Sequence, residues 1–197
     1  MSVRVVVDST SYIPHQLRDE LDIHVVSLAV VFPEGAQREL DVDDATFYKR
    51  LSSEGKVPTS TQPTPAEMAE AFLEVLDEGH DVVGVFISSD MSGTFSSAQL
   101  AARSIRESRP DAVIELVDSR SNSMQLGMAA LSAARAAKDG ADAAACVAAA
   151  HDTILRTRFL FTPHTLDYLR IGGRIGAASA FLGAMLQIRP ILTVEGG

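Results

Sequence analysis

Tryptophan is absent from this chain and cysteine occurs once, at Cys146. A lone thiol closes no internal disulfide and builds no thiolate metal cage, so packing must hold the fold and a reducing compartment suits it. Basic residues are in the minority: 17 Lys and Arg against 26 Asp and Glu leave a formal charge of -9. No basic cluster is present to neutralise phosphates, which argues against nucleic acid as a partner and against polybasic docking on an anionic membrane. The longest apolar runs fall well short of a membrane span, so no stable membrane insertion is expected. The opening MSVRVVVDST is a strand pattern, too short and wrongly flanked for a signal peptide. Five histidines are scattered, and no pair shows metal-ligand spacing. The expectation is an acidic, cytoplasmic protein with no metal and no cofactor.

Apolar residues, by contrast, make up 46% of the 197 positions, ample for a core. Residues 3–7 (VRVVV), 24–32 (HVVSLAVVF), 81–88 (DVVGVFIS) and 112–119 (AVIELVDS) read as strands. Helical patterns lie between and after them. Pro14 opens a short helix reaching about Leu21, and Asp43-Asp44 caps another running to about Ser53. Thr64-Pro65-Ala66-Glu67 is a helix start with a cap, a first-turn proline and a glutamate at the third position. Long alanine-rich helices follow the strand at 112–119. Strand–helix alternation predicts an α/β fold with a parallel sheet covered on both faces. From FLFTP on, alanine gives way to a strand, a helix stopped at Gly172-Gly173, and a last strand at Pro190–Val194, and residues 163–197 follow the first of these strands. They read as the beginning of a second, smaller α+β domain after an N-terminal α/β domain at 1–162, with that second domain truncated.

Three strand ends carry hydroxyls: VVVDST, FISSD and ELVDSR. Open parallel sheets bind ligands at the carboxyl ends of their strands. Ser88, Ser89, Ser92, Gly93 and Thr94 surround a helix start, where unpaired N–H groups attract an anion. Taken singly, each loop also fits an ordinary cap or turn.

Six segments, in order, resemble the DegV family of bacterial fatty-acid-binding proteins: DST (8–10), PTSTQPTP (58–65), SSDMSGTFSSA (88–98), DSRSNSMQLG (118–127), LDYLRIGGRIG (166–176) and LQIRPIL (186–192). The resemblance implies a DegV-like fold that holds one long-chain fatty acid between its two domains. It also implies a partner, the catalytic subunit of a fatty acid kinase, which phosphorylates the bound carboxylate. Carried onto this sequence, the carboxylate-binding positions are Ser60 and Thr61 in one loop and Ser92, Gly93 and Thr94 in another. Arg170 and Arg174 fall on the family's basic loop near the head group and the docking kinase. Gln125 stands where the family often has glycine, and Ile171 where a second basic residue is common. Phe159, Phe161, Phe181, Leu182, Met185 and Leu186 are the candidates to line the acyl tunnel.

Other readings stand beside this one. Ser92 sits in S-G-T rather than a G-x-S-x-G elbow, so a serine hydrolase lacks its motif, and His164 is the histidine to watch for a triad. A small-anion or phosphate binder would lack both the P-loop and the G-x-G-x-x-G pattern. A structural module with an incidental lipid is a third reading.

Overall fold

Val3, Val5 and Val7 face one side of the first strand and Val6 the other, the period of two that a sheet buried on both faces demands. The computed structural model describes residues 2–54, 57–181 and 190–197. The chain runs β1 (Ser2–Asp8), α1 (His15–Glu20), β2 (His24–Val26), β3 (Ala29–Phe32), β4 (Gly35–Arg38), α2 (Asp44–Glu54), β5 (Thr59–Thr61), α3 (Pro65–Asp77) and β6 (His80–Phe86). It continues with α4 (Thr94–Ser108), β7 (Ile114–Asp118), α5 (Ser123–Lys138), α6 (Ala143–Arg156), β8 (Leu160–Phe161), α7 (Asp167–Ile171) and β9 (Leu192–Thr193).

Four of these strands form an all-parallel sheet in the order β2-β1-β6-β7. On one face Val5, Val7, Val83, Val85 and Val117 pack on the alanines of α5 and on Cys146 and Ala150 of α6. On the other, Val6, Val82, Phe86 and Ile114 meet Met68, Phe72 and Val75 of α3 and Ala98 and Ala101 of α4. Each fully buried valine or phenylalanine contributes about 1.5–3 kcal/mol relative to exposure. The α/β architecture with a parallel sheet is therefore as the sequence predicts. So is the start of α3: Glu67 N–H donates to Thr64 Oγ1 at 3.2 Å and Glu67 Oε2 accepts from Thr64 N–H at 2.8 Å.

Residues 24–32 depart from expectation, because they are not one strand. Leu28 N–H donates to Ser9 Oγ at 3.0 Å, and Leu28 O accepts from Glu39 N–H at 2.8 Å. These bonds withdraw Leu28 from strand pairing and split the run. β2 joins the parallel sheet, while β3 becomes the centre of a separate antiparallel sheet, β4-β3-β5. The last strand is also shorter than Pro190–Val194: Leu192 pairs with Phe161 and Thr193 with Leu160. Gly173, at φ +75°, turns the chain after α7 and lets Arg174 N–H reach Leu169 O at 2.9 Å, the helix stop expected there.

Gly127 on α5 shows how closely the layers approach. A Cβ there would stand 2.4 Å from the Ser11 carbonyl oxygen, with backbone on both sides unable to yield. Gly127→Ala is expected to lower stability by about 1–3 kcal/mol through overpacking. Urea unfolding would show an earlier midpoint at unchanged slope, and an unmoved midpoint would refute the contact.

Candidate functional site

The chain leaves β1 toward β2 on one side and later returns to pair β6 on the other, so β1 and β6 flank the point where strand order reverses. Crevices of open α/β sheets form there. Asp8, fully buried at the end of β1, spans it: Oδ2 accepts from Ile87 N–H at 2.8 Å and Oδ1 from Thr10 N–H at 2.9 Å. The Thr10 hydroxyl donates to the same Oδ1. Burial pushes the Asp8 carboxyl above the usual carboxylate range, against the pull of its bonds from Thr10 and Ile87, and nearby Glu39 adds to the push. Ser9, next in the chain, donates to Glu39 and so ties this corner to the segment leading out of the antiparallel sheet.

The loop after β6 is shaped by its own serines. Ser88 is buried; its N–H donates to Ser121 O at 2.8 Å, and its carbonyl accepts from Met91 and Ser92 N–H at 3.0 and 3.1 Å. Ser89 Oγ donates to Asp118 at 2.6 Å. Ser88 Oγ accepts from Asp90 N–H at 3.2 Å, and neither Ser88 nor Ser89 lines the cavity that Ser92 borders. Ser92 does open outward. Its Oγ accepts from Thr94 N–H at 3.3 Å and lies 2.9 Å from Thr94 Oγ1. Thr94 is fully buried with no other partner for its hydroxyl among these bonds, so it donates to Ser92 and leaves the Ser92 hydrogen free. Gly93 has an ordinary φ of -72°. It is small for another reason: a Cβ there would meet Gln62 Nε2 at 2.4 Å. The bare position gives the Gln62 amide, from the segment after β5, room to lie against the loop of Ser92.

Ser60 and Ser92 open on one cavity of about 700 Å³. The strand ends contribute Thr10, Ile87 and Asn122, and Phe161, Leu169, Phe181, Ile191 and Leu192 from the last part of the chain also line it. Thr61, Gly93 and Thr94 do not line it. Thr61 follows Ser60 on a strand, where successive side chains take opposite faces. Phe161 lines the cavity, whereas Phe159 stacks on it at a centroid distance of 5.2 Å without lining. Phe181 also lines the cavity, while Leu182, Met185 and Leu186 fall outside the described residues. Arg174 lines the cavity, with Nε donating to Met91 O at 3.2 Å, which fastens the basic loop across to the loop of Ser92. Arg170 does not line it and faces Asp167 at 3.7 Å.

Thr10 and Asn122 were missed as cavity residues, although both stand in the hydroxyl-rich strand ends. None of the five histidines lines the cavity, and His164 is exposed, so the serine there has no imidazole base beside it. Among the described residues, no cluster of His, Cys, Asp and Glu is placed to hold a metal ion. No helix among them is long and apolar enough to cross a membrane.

A family model described as "Uncharacterised protein, DegV family" matches residues 2–197. A DegV domain-containing protein of Clostridium acetobutylicum is 45% identical over 197 residues, covering 100% of this chain and 69% of that protein. Among solved structures, a fatty-acid-binding DegV family protein from Thermus thermophilus superposes with a TM-score of 0.90 at 34% identity, covering 100% of this chain and 69% of its own. A stearic-acid-binding protein from Eubacterium ventriosum superposes with a TM-score of 0.86 at 26% identity, covering 99% and 68%.

The buried Asp8 generates a pH signature. Its raised value belongs to the folded state, so between the unfolded and folded values the native protein binds more protons than the unfolded chain. The Asp8 contribution to stability is complete below the unfolded value, about 3.9, and is lost as pH rises through the folded one. Asp8→Asn should remove that slope from urea unfolding measured across this window. A variant whose stability changes with pH in parallel with the wild type would show that Asp8 is not the group responsible.

Proposed function

The chain belongs to the DegV family, and from that premise we propose that it binds a long-chain fatty acid with the carboxylate between Ser60 and Ser92. The observation that carries the reading is their convergence. Two neutral hydroxyls, 32 residues apart in the chain, open on a single cavity that Phe161, Phe181 and Leu192 also line. Structural relatives described as fatty-acid-binding supply the ligand class.

The energetics divide between tail and head. Each buried methylene contributes about 0.8 kcal/mol, so ten supply roughly 8 kcal/mol. A hydroxyl bond to the carboxylate adds about 1.5–3 kcal/mol and fixes which end lies where. The tail supplies affinity and the serines supply register. Hydroxyl donors are uncharged, so they hold a carboxylate with less quenching of its nucleophilicity than a direct ion pair would bring. Arg174 spends Nε and Nη1 on the carbonyls of Met91 and Gly172.

The protein then acts as a carrier without catalysis of its own, presenting the carboxylate to the catalytic subunit of a fatty acid kinase in the cytoplasm. The basic loop with Arg170 and Arg174 is the docking element. In this reading residues 1–162 are the α/β domain and 163–197 the beginning of the smaller one, with the fatty acid between them.

Denaturing mass spectrometry of the purified protein should release a fatty acid. Release of a nucleotide or a phosphate compound instead would favour the small-anion reading and overturn this one. Ser92→Ala should weaken fatty-acid binding roughly tenfold or more, in line with one charge-assisted bond, and should depress acylphosphate formation further still. Equal loss of both would remove the presenting role. Thr94→Val should act only through Ser92, so that adding it to Ser92→Ala costs little more affinity. Additive losses would place Thr94 on the ligand itself.

A further inference from the structure

Asn122 stands at the N-cap of α5, a position where asparagine is among the preferred residues, yet its side chain makes no cap hydrogen bond. Its Oδ1 is sealed from solvent and has no partner. A carboxylate only accepts, so this oxygen stays unpaired with or without a fatty acid in place, and only the nitrogen end of the amide could serve one. Asn122 also lines the cavity that holds Ser60 and Ser92. It is held beside Ser92 through the backbone: Ser121, its neighbour, accepts from Ser88 N–H, and Ser88 accepts from Ser92 N–H.

With Oδ1 sealed, the two N–H donors of Nδ2 are all that this side chain has left to offer a ligand. The other strand-end hydroxyl in the wall, Thr10, has committed its proton to Asp8. A carboxylate accepts at about four lone-pair positions, and Ser60 and Ser92 fill two. We propose that Asn122 is a third head-group donor, its amide N–H bonding the carboxylate and selecting acids over neutral lipids of the same length. This rests on the fatty-acid reading above.

Asp is nearly isosteric with Asn, caps helices equally well, and would face the carboxylate with an oxyanion. The test measures binding of palmitate and of hexadecanol, at neutral pH, to the wild type, Asn122→Asp and Asn122→Ala. Asn122→Ala should weaken palmitate by roughly tenfold, the loss of one charge-assisted bond. Asn122→Asp should weaken palmitate by at least about tenfold more, while the two variants bind hexadecanol within about threefold of each other. Equal palmitate affinities in both variants, or parallel losses of acid and alcohol in Asn122→Asp, would overturn the assignment by showing a purely structural residue. A wild type that binds neither lipid would overturn the fatty-acid reading itself, and this assignment with it.

Discussion

The Asp8 carboxylate accepts from Ile87 N–H across the β1–β6 boundary while its other oxygen holds Thr10. That one group closes the place where two parallel strands would otherwise diverge into separate loops. Burial still disfavours the charge on balance, but both oxygens are occupied, which offsets part of that cost. Once the strand ends are joined, the loops beyond them have one direction left, outward over the carboxyl edge. Ser92, Thr10 and Asn122 then share a wall because their strands are adjacent in the sheet.

The loops are rigid because serines bond to serines. Ser88, Ser119 and Ser121 are buried; Ser88 Oγ accepts from Asp90 N–H at 3.2 Å and Ser119 Oγ donates to Ser121 O at 3.0 Å. Ser121 Oγ donates to Gln125 at 2.6 Å, and Gln125 Nε2 donates in turn to Thr157 O at 3.0 Å. Gln125, where the resemblance suggested glycine, thereby fastens the start of α5 to the end of α6. A stretch that reads in sequence as one pool of anion donors is thus mostly scaffold, and Ser92 is the hydroxyl that scaffold aims at the cavity.

The parallel sheet was legible because its signals are local. Valines at alternate positions, a capping box and alanine-rich helices each point to a single conformation, and they agree with one another. The antiparallel sheet was not legible. Its strands GAQR and TST are exposed, short and without apolar alternation. The break at Leu28 depends on Ser9 and Glu39, both distant in sequence. Ser60 could be named from a motif, but not the strand that presents it, nor the reason Thr61 turns away. Asn122 escaped notice because an N-cap asparagine looks ordinary until its missing bond is seen.

Ser60 rides on that antiparallel sheet, and neither core cluster contains a residue of β3, β4 or β5. Ser92, by contrast, follows a strand packed on both faces. Of the two hydroxyls that open on the cavity, Ser92 is thus anchored in the main packing and Ser60 is carried outside it. A displacement confined to that small antiparallel platform would shift Ser60 against Ser92 while the valine and alanine interior stays shut.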